Sequence, residues 1–481
     1  GGNVNVTSLT INSANNDYLI SDDHTGTISS IIFDVDSDFS SKNLVNLGST
    51  LSTSTTLNGE IIIKCTDTNV VLTKDLDIFK ITNYDVSKTI PDVKLDSSTE
   101  FNLDTNTDEY KIFSNIIFEG TVNCIGSKFT RDSDGNSNCN VTLKGDNKTF
   151  EDMTLESCGT LILDTLTTNN SISSFTNTSS PTIGLQVTGG SVDVSTININ
   201  SATGKYLVLS SHSGEISDST FILPDSTTDA IMDIGNTSTT FSGTTIIKAT
   251  DTNVEFDNNL NIFDIHSSYT SSNIPDIVFN TPSKFKLESG QSYELFSNTT
   301  FNGTVICDNS TISRGTEAKT ICNITFANDN KTFTNMTLES CGTLILDTLS
   351  SSNTISSFTN TSSPAMGLQI TGGSVDVSTL NINSATGKYL VLSSHSGVIS
   401  NSTFILPDST TDAIMDIGNT STTFSGSTII KATNTNVEFD NNLNIFDINS
   451  NYTSSNIPDI IFNTPSKFKL ESGQSYELFS N

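Results

Sequence analysis

The sequence predicts an all-β protein wound as a parallel β-solenoid. Three observations carry this reading: a composition of strand and turn formers, a tandem repeat of 183 residues, and a 22-residue apolar period inside it. The 481 residues include 53 Asn and 144 Ser plus Thr, and no Trp. Charged residues make up 16%, against about 25% in ordinary domains. Val, Ile, Leu, Phe and Thr suit strands, and Asn, Asp, Ser and Gly suit turns. A disordered chain of this polarity would lack the regular apolar positions seen here.

The long repeat sets the domain organisation. "SATGKYLVLSSHSG" begins at 201 and again at 384. Residues 189–298 and 372–481 align without a gap, differing at eight of 110 positions. The first copy is looser, with "GGNVNVTSLTINSA" at 1–14 matching "GGSVDVSTININSA" at 189–202. Three repeats are therefore expected: 1–188 (divergent), 189–371, and 372–481 (incomplete). Asn481 corresponds to Asn298, which opens the triplet "NTT". The last copy stops in mid-pattern, so the chain is read as a window on a longer tandem array.

The short period sets the coil. Segments opening at Phe150, Ile172, Val194 and Ile216 are spaced by 22 residues, and Phe241 follows after 25. A second apolar file is expected through Leu163, Leu185, Leu207 and Met232. Turn clusters such as "TTNN", "NTSSP" and "SATGK" lie between them. In such a coil each file stacks on itself at a strand spacing of about 4.8 Å. A 183-residue repeat is then about eight coils, or about 40 Å of rise. The period blurs between about 245 and 300, where a longer excursion or bent coil is expected. A row of immunoglobulin-like sandwiches would show a half-repeat and a Cys…Trp…Cys core, and neither is present.

Segments such as "FNGTVI" (301–306), "FTNMTL" (333–338) and "FSGTTI" (241–246) resemble the coils of pectate-lyase-like right-handed β-helices. They are more similar to the surface adhesin branch than to its enzymes. The resemblance implies a right-handed parallel β-helix and display at a cell surface.

Charge and motifs narrow the function. The formal charge is −31, from 53 acids against 22 bases, and only Arg131 and Arg314 are arginines. Such a surface repels nucleic acid and anionic lipid. No apolar run has the length of a membrane helix, so neither nucleic acid nor a membrane span is expected. The N-glycosylation triplet N-x-S/T occurs at Asn5, Asn140, Asn147, Asn169, Asn177, Asn236, Asn298, Asn302, Asn309, Asn323, Asn330, Asn335, Asn360, Asn401, Asn419 and Asn451. Composition alone would give about this number, so position matters more than the count. Between the near-identical copies, Asp218 becomes Asn401 and Ser268 becomes Asn451, each completing a triplet. Covalent glycans are expected at turns.

Cys124 and Cys139 bound a polar loop, as do Cys307 and Cys322 one repeat later, and disulfides are expected between them in an oxidising compartment. A bridge from Cys139 to Cys158, 19 residues on, stays open as the alternative. Cys158 and Cys341 otherwise read as buried apolar residues, and Cys65 aligns with Ala249 and Ala432. No C-x-x-C occurs and the four histidines read as scattered, so no metal or cofactor is expected. "RDSDGNSN" (131–138) places Asp132, Asp134 and Gly135 at a spacing seen in calcium loops, but its counterpart "SRGTEAKT" lacks the carboxylates. "DVDSD" (34–38) likewise faces "ILPDS". Both read as solvated acidic turns. Carbohydrate-active catalysis would need carboxylates held together across coils. Acids exchange between copies here (Glu215 with Val398, Asp251 with Asn434), which argues against a duplicated active site.

The sequence thus points to a structural glycoprotein, an extracellular fibre or stalk that associates with itself end to end. The alternative is a surface adhesin whose rod carries a binding domain elsewhere. A polysaccharide-active enzyme is the third reading.

Overall fold

A computed structural model describes residues 2–12, 18–35, 43–48, 54–67, 70–82, 90–103, 108–235, 237–266, 269, 273–418, 420–449, 452 and 457–479. Asn236, Asn419 and Asn451 lie outside them, as do Asp36 and Asp38 of the first acidic stretch. The described residues contain strands and no α-helix, and every paired strand runs parallel to its partner. The protein is a parallel β-solenoid. Two compact units divide it: Gly1–Leu223 with Asp229–Gly243 and Ile262–Asn273, and Pro224–Thr228 with Thr244–Asn261 and Ile274–Asn481.

In the first unit an 11-stranded sheet forms one face of the solenoid, including Val141–Lys144, Leu161–Asp164, Ile183–Val187 and Lys205–Leu209. Two further ladders, through Thr121–Ile125 and Lys128–Arg131, converge on the single long strand Ser171–Asn177. Along each strand side chains alternate between core and solvent, as in the in–out pattern of Leu161–Asp164. The apolar file read from sequence is a true stack: Phe150 faces Ile172, then Val194, Ile216 and Phe241.

The second file needs one correction. Leu185 faces Leu161, while Leu163 faces Val187. The turn holding Asn169 is longer than the next one, so Leu161 precedes Ile172 by 11 residues whereas Leu185 precedes Val194 by nine. Leu207 and Met232 stack as expected.

The blurred stretch also resolves. Coils there are longer: Met232 faces Phe263, and Thr245 faces Ile277. Equivalent coils pass a ladder from one face to another. In the first unit Ile31–Asp34 stack on Ile61–Lys64, and Ile61–Ile63 on Val93–Leu95, which continues the 11-stranded sheet. Meanwhile the short ladder Leu19–Ser21, Asn43–Leu47, Asp77–Ile81 has just three strands. In the second unit Ser402–Leu406 hand on in the same way to Thr428–Ala432 and then Ile460–Asn463. A 22-residue template cannot detect such a coil, because its extra residues move the chain to a different face.

The core is a column of stacked side chains. Phe129 and Phe150 lie 6.0 Å apart at 15°, and Phe279 and Phe301 4.8 Å apart at 4°. Each is essentially inaccessible to solvent, and burying such a side chain stabilises by about 1.5–3 kcal/mol. Glycine is required where coils touch most closely. Gly190, at φ 83°, would place a Cβ 1.8 Å from the Leu166 carbonyl oxygen.

Candidate functional site

The structure sorts the triplet asparagines by environment. Asn5, Asn147, Asn169, Asn309, Asn330, Asn335 and Asn401 are exposed. Asn147, Asn309, Asn330 and Asn335 adopt positive φ (64°, 43°, 71° and 53°), a left-handed turn conformation that asparagine tolerates well. Their amides stand where a glycan has room. Asn335 Nδ2 donates to Asn309 Oδ1 at 2.9 Å across adjacent coils.

Four more asparagines are half-buried, and three of them use their side chains to hold corners together. The Asn140 backbone N–H donates to Asn115 Oδ1 (2.8 Å), and Asn140 Oδ1 accepts from Thr160 N–H (2.8 Å). The Asn298–Asn323–Thr343 series repeats this at 2.9 Å in both steps. Asn302 is the fourth.

Asn177 and Asn360 have no solvent exposure at all. Asn177 Nδ2 donates to the carbonyls of Gly159 (3.0 Å) and Gly184 (3.1 Å), and its Oδ1 accepts from Ser179 N–H (2.9 Å). Asn360 makes the same three bonds to Gly342, Gly367 and Ser362. A buried amide satisfied in this way is structural. Its nitrogen cannot carry a sugar while the coil is closed.

The cysteines form corners rather than loop bridges. All seven are free and buried. Cys124 lies within Thr121–Ile125, facing Leu103 below and Phe150 above. Cys139 sits at the corner before Val141–Lys144, on another face of the coil. The expected Cys124–Cys139 and Cys307–Cys322 bridges are therefore not formed: sequence spacing measured the loop, but not the face on which each thiol lands. Cys139 instead lies beside Cys158, and Cys322 beside Cys341, because Gly159 N–H donates to Cys139 O (2.8 Å) and Gly342 N–H to Cys322 O (2.9 Å). Burial pushes the Cys139 and Cys322 thiols up to about 11, and nearby Arg131 and Arg314 respectively oppose the shift.

Both arginines hold equivalent corner positions. Arg131 Nε donates to Ser157 O (3.3 Å), and Arg314 Nη1 to Lys319 O (3.4 Å). Among the described residues, the ion pairs are made by lysines and by His266, such as Lys94–Glu119 at 2.8 Å and Lys286–Glu288 at 2.8 Å. Arg131 opens onto a polar groove of about 620 Å³ lined by Asn138, Asn140, Thr160, Thr182 and Gln186.

Two repeated polar niches escaped sequence reading. His212 and His395 are fully buried, each with Nε2 2.8 Å from a carbonyl (Val192, Val375) and Nδ1 2.8 Å from a threonine hydroxyl (Thr239, Thr422). His24 takes the same position with Thr55 and Val4. Three of the four "scattered" histidines thus fill one site, at spacings of 188 and 183 residues that the repeat already contained. Burial lowers the pKa of His212 and His395, so the neutral ring is favoured.

The other niche holds Lys148 and Lys331, the middle residues of two exposed triplets. Lys331 Nζ donates to the carbonyls of Gly303 (2.6 Å), Asn328 (3.0 Å) and Asp329 (3.1 Å). Lys148 Nζ reaches Asp146 O (2.6 Å) and Glu119 O (3.4 Å). Burial lowers both to about 8. Strand alternation explains the contrast: in Asn147–Lys148 the turn residue faces solvent and the next one enters the core.

The acidic loop closes on itself, with Asp132 Oδ1 accepting from Asp134 N–H (3.0 Å) and Asp132 O from Gly135 N–H (3.0 Å). No group of three metal-binding side chains occurs among the described residues, and no helix there is long and apolar enough to cross a membrane. No protein-family model, curated protein or solved structure matches the chain.

Proposed function

We propose that this chain is a structural, glycosylated extracellular protein, a fibre or stalk built by repetition of one solenoid unit. The supporting observation is that coils one repeat apart use the same contacts. Val194 faces Ile216 and Val377 faces Ile399, each in the same long strand pair. A unit whose neighbours are copies of itself supplies length and stiffness. The polar side chains with the most elaborate partners (Asn177, His212, Lys331) bond to backbone inside the coil, which is a supporting role. Exposed triplets on the turns would carry glycans, and sugars with negative charge would keep rods from pairing edge to edge.

Electron microscopy of native material tests this reading. Continuous fibres of uniform width, with an axial repeat near about 40 Å from strand spacing, are the expected result. Short rods ending in a distinct head would overturn it and favour the adhesin.

A further inference from the structure

Cys139 and Cys158 face one another on successive coils, and Cys322 and Cys341 repeat the arrangement. In a parallel ladder, residue i faces residue j when the N–H of j+1 donates to the carbonyl of i. Gly159 N–H to Cys139 O at 2.8 Å sets Cys158 against Cys139, and Gly342 N–H to Cys322 O at 2.9 Å sets Cys341 against Cys322. Two residues later the step has grown, since Val141 faces Leu161. The extra residue is absorbed where Asn140 Oδ1 takes the N–H of Thr160.

All four side chains point inward, with 0% exposure at Cys139 and Cys322 and 5% at Cys158 and Cys341. Facing strands are spaced by about 4.8 Å, inside the window of about 4.4–6.8 Å between Cα atoms that a disulfide spans. The thiols make only weak S–H contacts to carbonyls: Cys139 to Asn136 (3.3 Å), Cys158 to Phe129 (3.5 Å), Cys322 to Lys319 (3.4 Å) and Cys341 to Ile312 (3.6 Å). Turning them toward each other breaks little. No other cysteine has a cysteine in register: Cys124 stacks between Leu103 and Phe150, and Cys307 between Leu287 and Phe333.

We propose that Cys139–Cys158 and Cys322–Cys341 are paired thiol sites that close as inter-coil disulfides under an oxidant of the glutathione-disulfide class. In each site two thiols give up two protons and two electrons, and an Sγ–Sγ bond forms. The oxidant's disulfide takes the electrons and protons and leaves as two thiols. Because burial raises these thiols, little thiolate exists in the closed coil. The bridge therefore forms while the corner is still open, during folding. The pairing follows from coil geometry and stands whether or not the chain builds fibres.

The test is peptide mapping of the full chain, refolded in a buffer of oxidised and reduced glutathione, then unfolded, alkylated and cleaved with trypsin. Cleavage at Lys and Arg puts Cys124, Cys139, Cys158, Cys307, Cys322 and Cys341 on six separate peptides. The expected result is two cross-linked pairs, 139 with 158 and 322 with 341, and alkylated Cys65, Cys124 and Cys307. Links from 124 to 139 or from 307 to 322, or alkylation of all seven cysteines, would overturn the proposal. In the C158S/C341S double variant, Cys139 and Cys322 should become fully alkylated. Persistence of a disulfide at either would overturn it too.

Discussion

Asn147 and Asn177 open the same sequence triplet, one coil apart, and meet opposite surroundings. Asn147 sits in a left-handed turn and faces solvent. Asn177 ends a long strand, points inward, and ties Gly159 and Gly184 together across the corner. The same contrast recurs one repeat later, between Asn330 and Asn360. The triplet is a chemical address, but the alternation of the strand decides whether it is reachable. An asparagine at a turn is free to be modified, whereas one on the inward side of a strand end is needed as a three-way hydrogen-bonding bracket.

The largest expected effect is in modification. Glycopeptide mapping of secreted, folded material should find glycans at Asn147 and Asn330 and none at Asn177 and Asn360. Sugar at Asn177 in folded protein would refute the closed corner. The next effect is on stability. Asn177→Ala or Asn360→Ala strands two carbonyls and one N–H, and should lower unfolding stability by about 2–4 kcal/mol. Asn147→Ala, which removes an exposed side chain, should change it by about 0.5 kcal/mol or less. Denaturant midpoints of the variants decide this directly.

The smallest effect is a pH dependence at the residue beside Asn330. Lys331 has a folded pKa of about 8 against an ordinary 10.5, so the unfolded chain binds more protons between those values. Stability should therefore rise with pH across that window, by on the order of 1–3 kcal/mol. The difference between wild type and Lys331→Met, measured from pH 7 to 10.5, isolates this contribution. A difference that stays flat would mean that the lysine is not confined.

The regular part of the fold was legible because its apolar residues recur at a fixed interval. Phe150, Ile172, Val194 and Ile216 are true stacking partners. Where turns vary, legibility fails locally, as at Leu163, or wholly, as at the coils that pass a ladder between faces. The sites were harder to read, because sequence spacing measures contour length and the solenoid assigns each residue to a face. That is why the loop between Cys124 and Cys139 suggested a bridge, while the coil brings Cys139 to Cys158. The histidine niche is different. His24, His212 and His395 were visible as repeat equivalents, and only the comparison of copies was needed to find them.

The coil-to-coil contacts also bear on how such a chain can change over generations. Residues 189–298 and 372–481 are nearly the same, so a rung from either copy fits the rung next to it. Gain or loss of one whole 183-residue unit, by misaligned recombination between copies, creates no new kind of contact to be solved. Length can then vary among descendants in whole-unit steps without passing through an unfoldable intermediate. A cut at any other spacing would set mismatched faces together and be removed by selection.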